Sequence, residues 1–197
     1  YFVTVQNCGV TLDENGRKVL VTEDIRNGNG RTIKSRYSTP NRVDKIKEPI
    51  QSIFWIMKDD ALPPLVKITD PRLASILGCT LMTKRSTAEN TGAGANLDAL
   101  VIEPYANPFR VYPLVEDYEK FKALFDKGVD CYIINTGDFL GKKVTKEVSL
   151  GVIETVVDGK ANFELFGGLP GMEYLPVEGY EVPDMNGEYA ELIRDRM

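Results

Sequence analysis

Four stretches of this chain carry residue types whose spacing could do chemistry. The first is residues 137–143, Gly-Asp-Phe-Leu-Gly-Lys-Lys. A phosphate-cradling loop needs a glycine-rich turn whose N–H groups face the anion, followed by lysine and a hydroxyl residue. Here Gly137 and the Gly141-Lys142 pair stand one residue too close for that template, and Lys143 fills the hydroxyl position. The spacing excludes a P-loop and reads as a strand-to-helix loop with solvated lysines. The second stretch is Gly92-Ala93-Gly94, within the small, polar residues 86–96. Such residues let a loop close over a ligand and expel water, or simply form a mobile surface loop. The third is Arg36, in a basic loop with Lys34 and Arg42. A guanidinium suits bidentate contact with phosphate or carboxylate, against the plainer reading of a solvated loop. The fourth is Asp59-Asp60. Neighbours on a strand point to opposite faces, so the pair makes a poor joint metal site and reads as a solvated strand end.

What is missing narrows the chemistry further. The chain has no histidine, which removes imidazole acid–base catalysis, a His-based triad and His metal ligands. Cys8, Cys79 and Cys131 are odd in number and far apart, so neither a disulfide framework nor a zinc spacing is present, and reduced thiols of a cytoplasmic protein are expected. A formal charge of -5 argues against a nucleic-acid-binding surface. No apolar run is long enough to cross a bilayer, so no membrane partner is expected. Hydrophobic content of 43% over 197 residues supports a normal core. The chain opens on Tyr1-Phe2-Val3 without methionine or secretory signal, which reads as a fragment of something longer.

The elements that must position these groups follow from periodicity and punctuation. Val3, Val5, Val10 and Leu12, then residues 18–21, read as two strands around the turn Asp13-Glu14-Asn15-Gly16. Residues 27–45 read as a loop. Residues 50–57 suit a buried strand, and Leu62-Pro63-Pro64 stops regular pairing. Asp70 caps a helix with Pro71 at its first position, and Leu73, Ile76, Leu77 and Leu81 form its apolar face. A short strand falls within residues 97–102, and an aromatic, proline-punctuated turn spans 104–113. A helix covers 115–127 with Tyr118, Phe121, Leu124 and Phe125 on one side and Gly128 as its stop. Residues 131–134 read as a buried strand ended by Asn135-Thr136-Gly137. Thr145 caps another helix bearing Val148, Val152, Ile153, Val156 and Val157, closed by Gly159. Residues 163–184 offer no element, and 187–197 read as a short helix. The order implies a mixed α/β (α+β) fold in one domain over residues 1–197.

Several of these segments, in this order, resemble the C-terminal portion of ATP-type phosphoenolpyruvate carboxykinases. Ser35-Arg36-Tyr37-Ser38-Thr39-Pro40 is similar to the family's Thr-Arg-x-x-x-Pro. Ile53-Phe54 leading to Leu62-Pro63-Pro64-Leu65-Val66-Lys67 is similar to a buried strand running into Leu-Pro-Pro-Val-x-Lys. Ala106-Asn107-Pro108-Phe109 is similar to Gly-Ala-Pro-Phe. Tyr132-Ile133-Ile134-Asn135-Thr136-Gly137, then Gly141-Lys142-Lys143-Val144-Thr145, is similar to the Asn-Thr-Gly and Gly-Lys-Arg-Ile run. The resemblance spans about residues 3–162 and leaves 163–197 as a poorly matched tail.

The resemblance implies the C-terminal nucleotide-binding lobe of a carboxykinase-like fold. Arg36 would be the catalytic arginine on substrate and transferring phosphoryl group. Lys143 and Val144 would line the adenine of ATP, with Ser149 nearby, and residues 86–96 would be the lid. The P-loop and the ligands of Mg2+ and Mn2+ would lie in the missing upstream part. The substrates implied are oxaloacetate or phosphoenolpyruvate and a nucleotide, with the fragment inactive alone. The alternative is a divergent relative with another phosphoryl transfer or a non-catalytic nucleotide-binding role. Lys143 stands where the family carries arginine.

Overall fold

The computed structural model describes residues 3–6, 9–21, 31–34, 45–84, 96, 99–107 and 110–196. The chain divides into two compact units, Tyr1–Pro49 with Arg85–Ala99, and Ile50–Lys84 with Leu100–Met197.

In the first unit, β2 (Gly9–Leu12) and β3 (Lys18–Val21) form an antiparallel hairpin, with Val10 opposite Leu20. The Asp13 side chain accepts from the N–H groups of Asn15 and Arg17, and Gly16 takes a φ of 72° that suits its missing Cβ. Residues 3–6 are not part of this hairpin. They form β1 (Val3–Gln6), which pairs antiparallel with β4 (Arg31–Lys34), inside the stretch expected to be a loop. The polar, basic composition of residues 27–45 hid a strand whose pairing comes from main-chain bonds rather than an apolar pattern.

The second unit is built on a five-stranded mixed sheet in the order β12 (Glu164–Leu165), β13 (Met172–Tyr174), β6 (Leu65–Ile68), β9 (Asp130–Asn135) and β5 (Ser52–Met57). Its parallel pair is β5 and β9, with Trp55 opposite Ile133. On the other side β9 pairs antiparallel with β6, which pairs antiparallel with β13 and then β12. Leu62-Pro63-Pro64 interrupts regular pairing as expected and separates β5 from β6. The tail expected to lack elements supplies the last two strands.

Alternation along β9 sends its side chains to two cores. Cys131 and Ile133 face one side with Trp55, Met57, Val66 and Met172. α1 (Pro71–Thr80), α2 (Leu114–Phe125) and α4 (Gly187–Arg194) cover that side through Ala74, Leu77, Phe125, Tyr189 and Ile193. Tyr132 and Ile134 face the other side with Leu65, under Val152 of α3 (Lys146–Val157). Within α1 the buried stripe is Ala74, Ser75, Leu77 and Gly78, while Ile76 is exposed, against expectation. A large ring occupies the space that small residues leave. The Tyr105 ring lies so close to Gly78 that a Cβ there would fall 2.3 Å from it. Tyr105 also stacks on Phe121 at 4.2 Å between ring centres. Val157 is exposed in the last turn of α3.

A short antiparallel pair, β7 (Met82–Lys84) with β8 (Leu100–Ile102), follows α1. Asp70 caps α1 by accepting from the Leu73 N–H, and Thr145 caps α3 by accepting from the Val148 N–H, both as expected. Among the described residues, no helix is long and apolar enough to cross a membrane.

Candidate functional site

The parallel strands β5 and β9 end side by side, at Met57 and Asn135. In open α/β sheets, ligands bind beyond the carboxyl ends of parallel strands, where loops with free polar groups gather. Two loops leave this edge: residues 58–64 after β5, and residues 136–145 after β9.

Asn135 joins them. Its side chain is fully buried, and its amide donates to the carbonyls of Asp59, Leu62 and Asp138 at 2.6–2.8 Å. Its Oδ1 accepts from the N–H groups of Gly137 at 2.9 Å and Asp59 at 3.3 Å. One side chain thus satisfies main-chain groups that the loops would otherwise bury unpaired. Gly137 brings the loops into contact, since a Cβ there would lie 2.9 Å from Lys58 Cβ.

Residues 137–143 are not a plain loop. They contain the hairpin β10 (Asp138–Phe139) and β11 (Lys142–Lys143), closed by Leu140 and Gly141 at φ of 49° and 78°. Two successive left-handed residues match the twist of a tight hairpin, which explains Gly141 without any phosphate. The Leu140 N–H donates to the Asp60 carbonyl, and Phe139 packs edge-on against Tyr189 of α4.

The two lysines of β11 point apart, and neither simply trails in solvent. Lys142 Nζ donates to the Gly179 carbonyl at 2.6 Å and sits 4.6 Å from the centre of the Tyr180 ring. Lys143 Nζ donates to the Thr136 carbonyl at 3.2 Å. Val144 is buried, and its N–H donates to the Gly137 carbonyl. Ser149, one turn into α3, donates its hydroxyl to the Thr145 carbonyl at 3.1 Å. Lys143, Val144 and Ser149 therefore belong to one short, internally bonded stretch, with Val144 inward and the Lys143 side chain exposed. Arg36, the rest of residues 35–40, the glycines of residues 92–94, Pro108-Phe109 and Cys8 lie outside the described residues.

Asp59 departs from expectation. It is 2% exposed rather than a solvated strand end. Its carboxylate accepts from the Ala61 N–H at 3.0 Å and from Arg196 Nε at 3.1 Å. The stretch after β5 folds back into the protein, and the last described residue of the chain supplies the cation. Asp60 pairs with Lys84 at 2.7 Å. Among the described residues, no group of three acidic, Cys or His side chains converges as a metal site.

Tyr180 and Arg196 were not singled out in the sequence, and Asn135 was read as a strand end within the Asn-Thr-Gly run rather than as a buried junction. Asn135 carried a signal, because a polar residue closing a continuous apolar strand must find partners inside. Tyr180 and Arg196 carried none, since their partners lie far away along the chain. Compared with known protein families and with curated proteins, the chain matches no family model and no curated protein.

Proposed function

We propose that this chain is the C-terminal, nucleotide-contacting part of a phosphoenolpyruvate-carboxykinase-like enzyme. Such an enzyme converts oxaloacetate and ATP to phosphoenolpyruvate, CO2 and ADP. The observation that carries the reading is where the Asn-Thr-Gly and Gly-Lys-Lys-Val runs lie. Both fall in one bonded stretch beyond the carboxyl ends of the parallel pair β5 and β9, leading into a threonine-capped helix. In open, mostly parallel sheets that edge is the general place for a ligand, and β5 and β9 form the parallel pair here.

In this reading Lys143 and Val144 meet the adenine, and Ser149 stands close by. Decarboxylation leaves an enolate that takes the γ-phosphoryl group, and Arg36 neutralises charge as it passes. Phosphoryl transfer depends chiefly on such positioning and charge stabilisation. Mg2+ and Mn2+ are held mainly by the upstream part, which also carries the P-loop, and the compartment is the cytoplasm.

The test is phosphoenolpyruvate formation from oxaloacetate by the full-length protein, with Mg2+ and Mn2+, across ATP, GTP and pyrophosphate. Product with one donor supports the reading and identifies the donor. In an active enzyme, Arg36→Ala is expected to cost at least ~2 kcal/mol in kcat/KM, the scale for losing one oriented charge-stabilising donor. Unchanged turnover removes Arg36 from the site. A second reading, nucleotide binding without this reaction, is favoured by Lys143 at the family's arginine position, because an ammonium stacks on a base less well than a guanidinium. Folded protein that binds nucleotide but forms no product with any donor selects it.

A further inference from the structure

The tail after residue 163 carries the resemblance least, yet it grips the stretch to which nucleotide contact is assigned. The two strands of the β10–β11 hairpin are only two residues each, too short to hold a fixed geometry unaided. On the β10 side, Asp60 and Tyr189 provide the support described above. On the β11 side the support comes from Gly179 and Tyr180. The Tyr180 hydroxyl donates to the Lys143 carbonyl at 2.5 Å, and its ring lies under the Lys142 ammonium at 4.6 Å. The Gly179 carbonyl holds that same ammonium at 2.6 Å. Tyr180 is itself buried, and a turn from its N–H to the Val177 carbonyl sets it in place. Glu181 closes the arrangement by accepting from the Gly179 N–H at 2.7 Å. Gly179 cannot be replaced without disturbing the clamp, since its φ is 78° and a Cβ would stand 2.6 Å from Lys142 Nζ.

We propose that Tyr180 is a positioning residue for nucleotide binding: its hydroxyl fixes the Lys143 main chain, and Lys142 serves as a structural strut rather than a ligand group. This rests on the reading that a nucleotide base meets Lys143 and Val144. The lysine pair is thereby divided. Lys142 is committed to Gly179 and the Tyr180 ring, whereas the exposed Lys143 side chain, bonded to the nearby Thr136 carbonyl at 3.2 Å, stands on a main chain that Tyr180 holds still. Preorganised contacts bind more tightly because less ordering remains to be done when the ligand arrives.

The experiment is Tyr180→Phe in the full-length protein, which keeps the ring and its contact with Lys142 and removes only the hydroxyl. ATP and GTP binding are measured by calorimetry, turnover by product formation, and folding by thermal melting. ATP is expected to bind roughly three- to tenfold more weakly, the scale of one lost hydrogen bond, with KM rising by more than kcat falls. The melting temperature is expected to stay within a few degrees. A variant that binds ATP as tightly as the parent overturns the proposal, whether or not its melting temperature falls. If the parent protein binds no nucleotide at all, the reading of the site fails first and the role of Tyr180 falls with it. If the parent binds and only the Tyr180→Phe result is negative, the site stands and Tyr180 is structural.

Discussion

At the scale of single residues, Asn135 and Ala106 show opposite uses of a constrained position. Asn135 fills both its donor and acceptor capacity against main-chain groups of two loops. Asn135→Leu fits the volume but leaves the Leu62 and Asp138 carbonyls and the Asp59 and Gly137 N–H groups without that partner, while the Asp59 carbonyl keeps the Leu62 N–H. It is expected to lower unfolding free energy by at least about 3 kcal/mol in a urea titration, since each stranded buried group costs about 1–3 kcal/mol. A loss below about 1 kcal/mol would mean that water replaces the amide. Tyr105 and Ala106 are successive left-handed residues, at φ of 55° and 50°. Tyr105 is held there by its ring and by its hydroxyl, which donates to the Ser75 carbonyl at 3.1 Å. Ala106 has only a methyl group to offset the strain. Ala106→Gly is expected to raise stability by about 0.5 kcal/mol, the relief of a left-handed Cβ less the extra chain entropy of glycine. A lower denaturation midpoint would show that the methyl contact outweighs the strain. Lys143, Val144 and Ser149 were legible as one run of sequence because they are local. The partner that fixes Lys143 was not, because Tyr180 meets the Lys143 carbonyl only after the chain has folded back.

At the scale of elements, caps and buried runs read well and partnerships read poorly. Asp70-Pro71 and Thr145 announced two helix starts through chemistry confined to a few residues. β9 announced itself as a buried apolar run, and β5 was found the same way, although β5 lies at the sheet edge with Ile56 exposed rather than buried. β4, β12 and β13 did not, since each is short, and β12 and β13 sit among glycines and prolines that signal turns. The apolar face of α1 was misread at Ile76 because helical spacing was matched to large residues. The Tyr105 ring instead needed the small ones, Ser75 and Gly78. The C-terminal helix offers a test of how an element is anchored. Arg196 pairs with Asp59, and the two side chains are 20% and 3% exposed. Removing the cation strands a buried carboxylate, whereas removing both charges does not. Arg196→Ala is expected to cost about 2 kcal/mol, moderated because the arginine is partly hydrated and Asp59 keeps its bond to Ala61. Asp59→Asn with Arg196→Met should recover most of that loss. A double variant as unstable as the sum of the singles would place the effect elsewhere in α4.

At the scale of the whole molecule, the buried phenols set an alkaline limit. Burial pushes up the hydroxyls of Tyr105, Tyr132 and Tyr189 and the Cys131 thiol, with Cys79 adding to the effect on Tyr105, Asp130 on Tyr132 and Asp59 on Tyr189. Tyr132 reaches about 12. Each group therefore keeps its proton longer in the folded state than in the unfolded chain, where tyrosine loses it near about 10 and cysteine near about 8.5. Their contribution to stability is complete below those unfolded values and is lost as pH rises through the folded ones. The urea midpoint should fall from about pH 9 upward, with the share of tyrosinate absorbance that belongs to Tyr105, Tyr132 and Tyr189 held back until unfolding. A flat midpoint across about pH 9–11 would contradict this. The sheet order carries a different consequence, for synthesis. β6 gains its partner β9 early in the second half of the chain, but its other edge is covered only by β13, with Ile68 opposite Met172. A ribosome that has not yet released residues 172–174 holds a nascent sheet whose Leu65–Ile68 strand has one row of main-chain donors and acceptors open to other chains. Truncation ahead of Met172 should thus yield aggregates captured by chaperones rather than a smaller soluble domain.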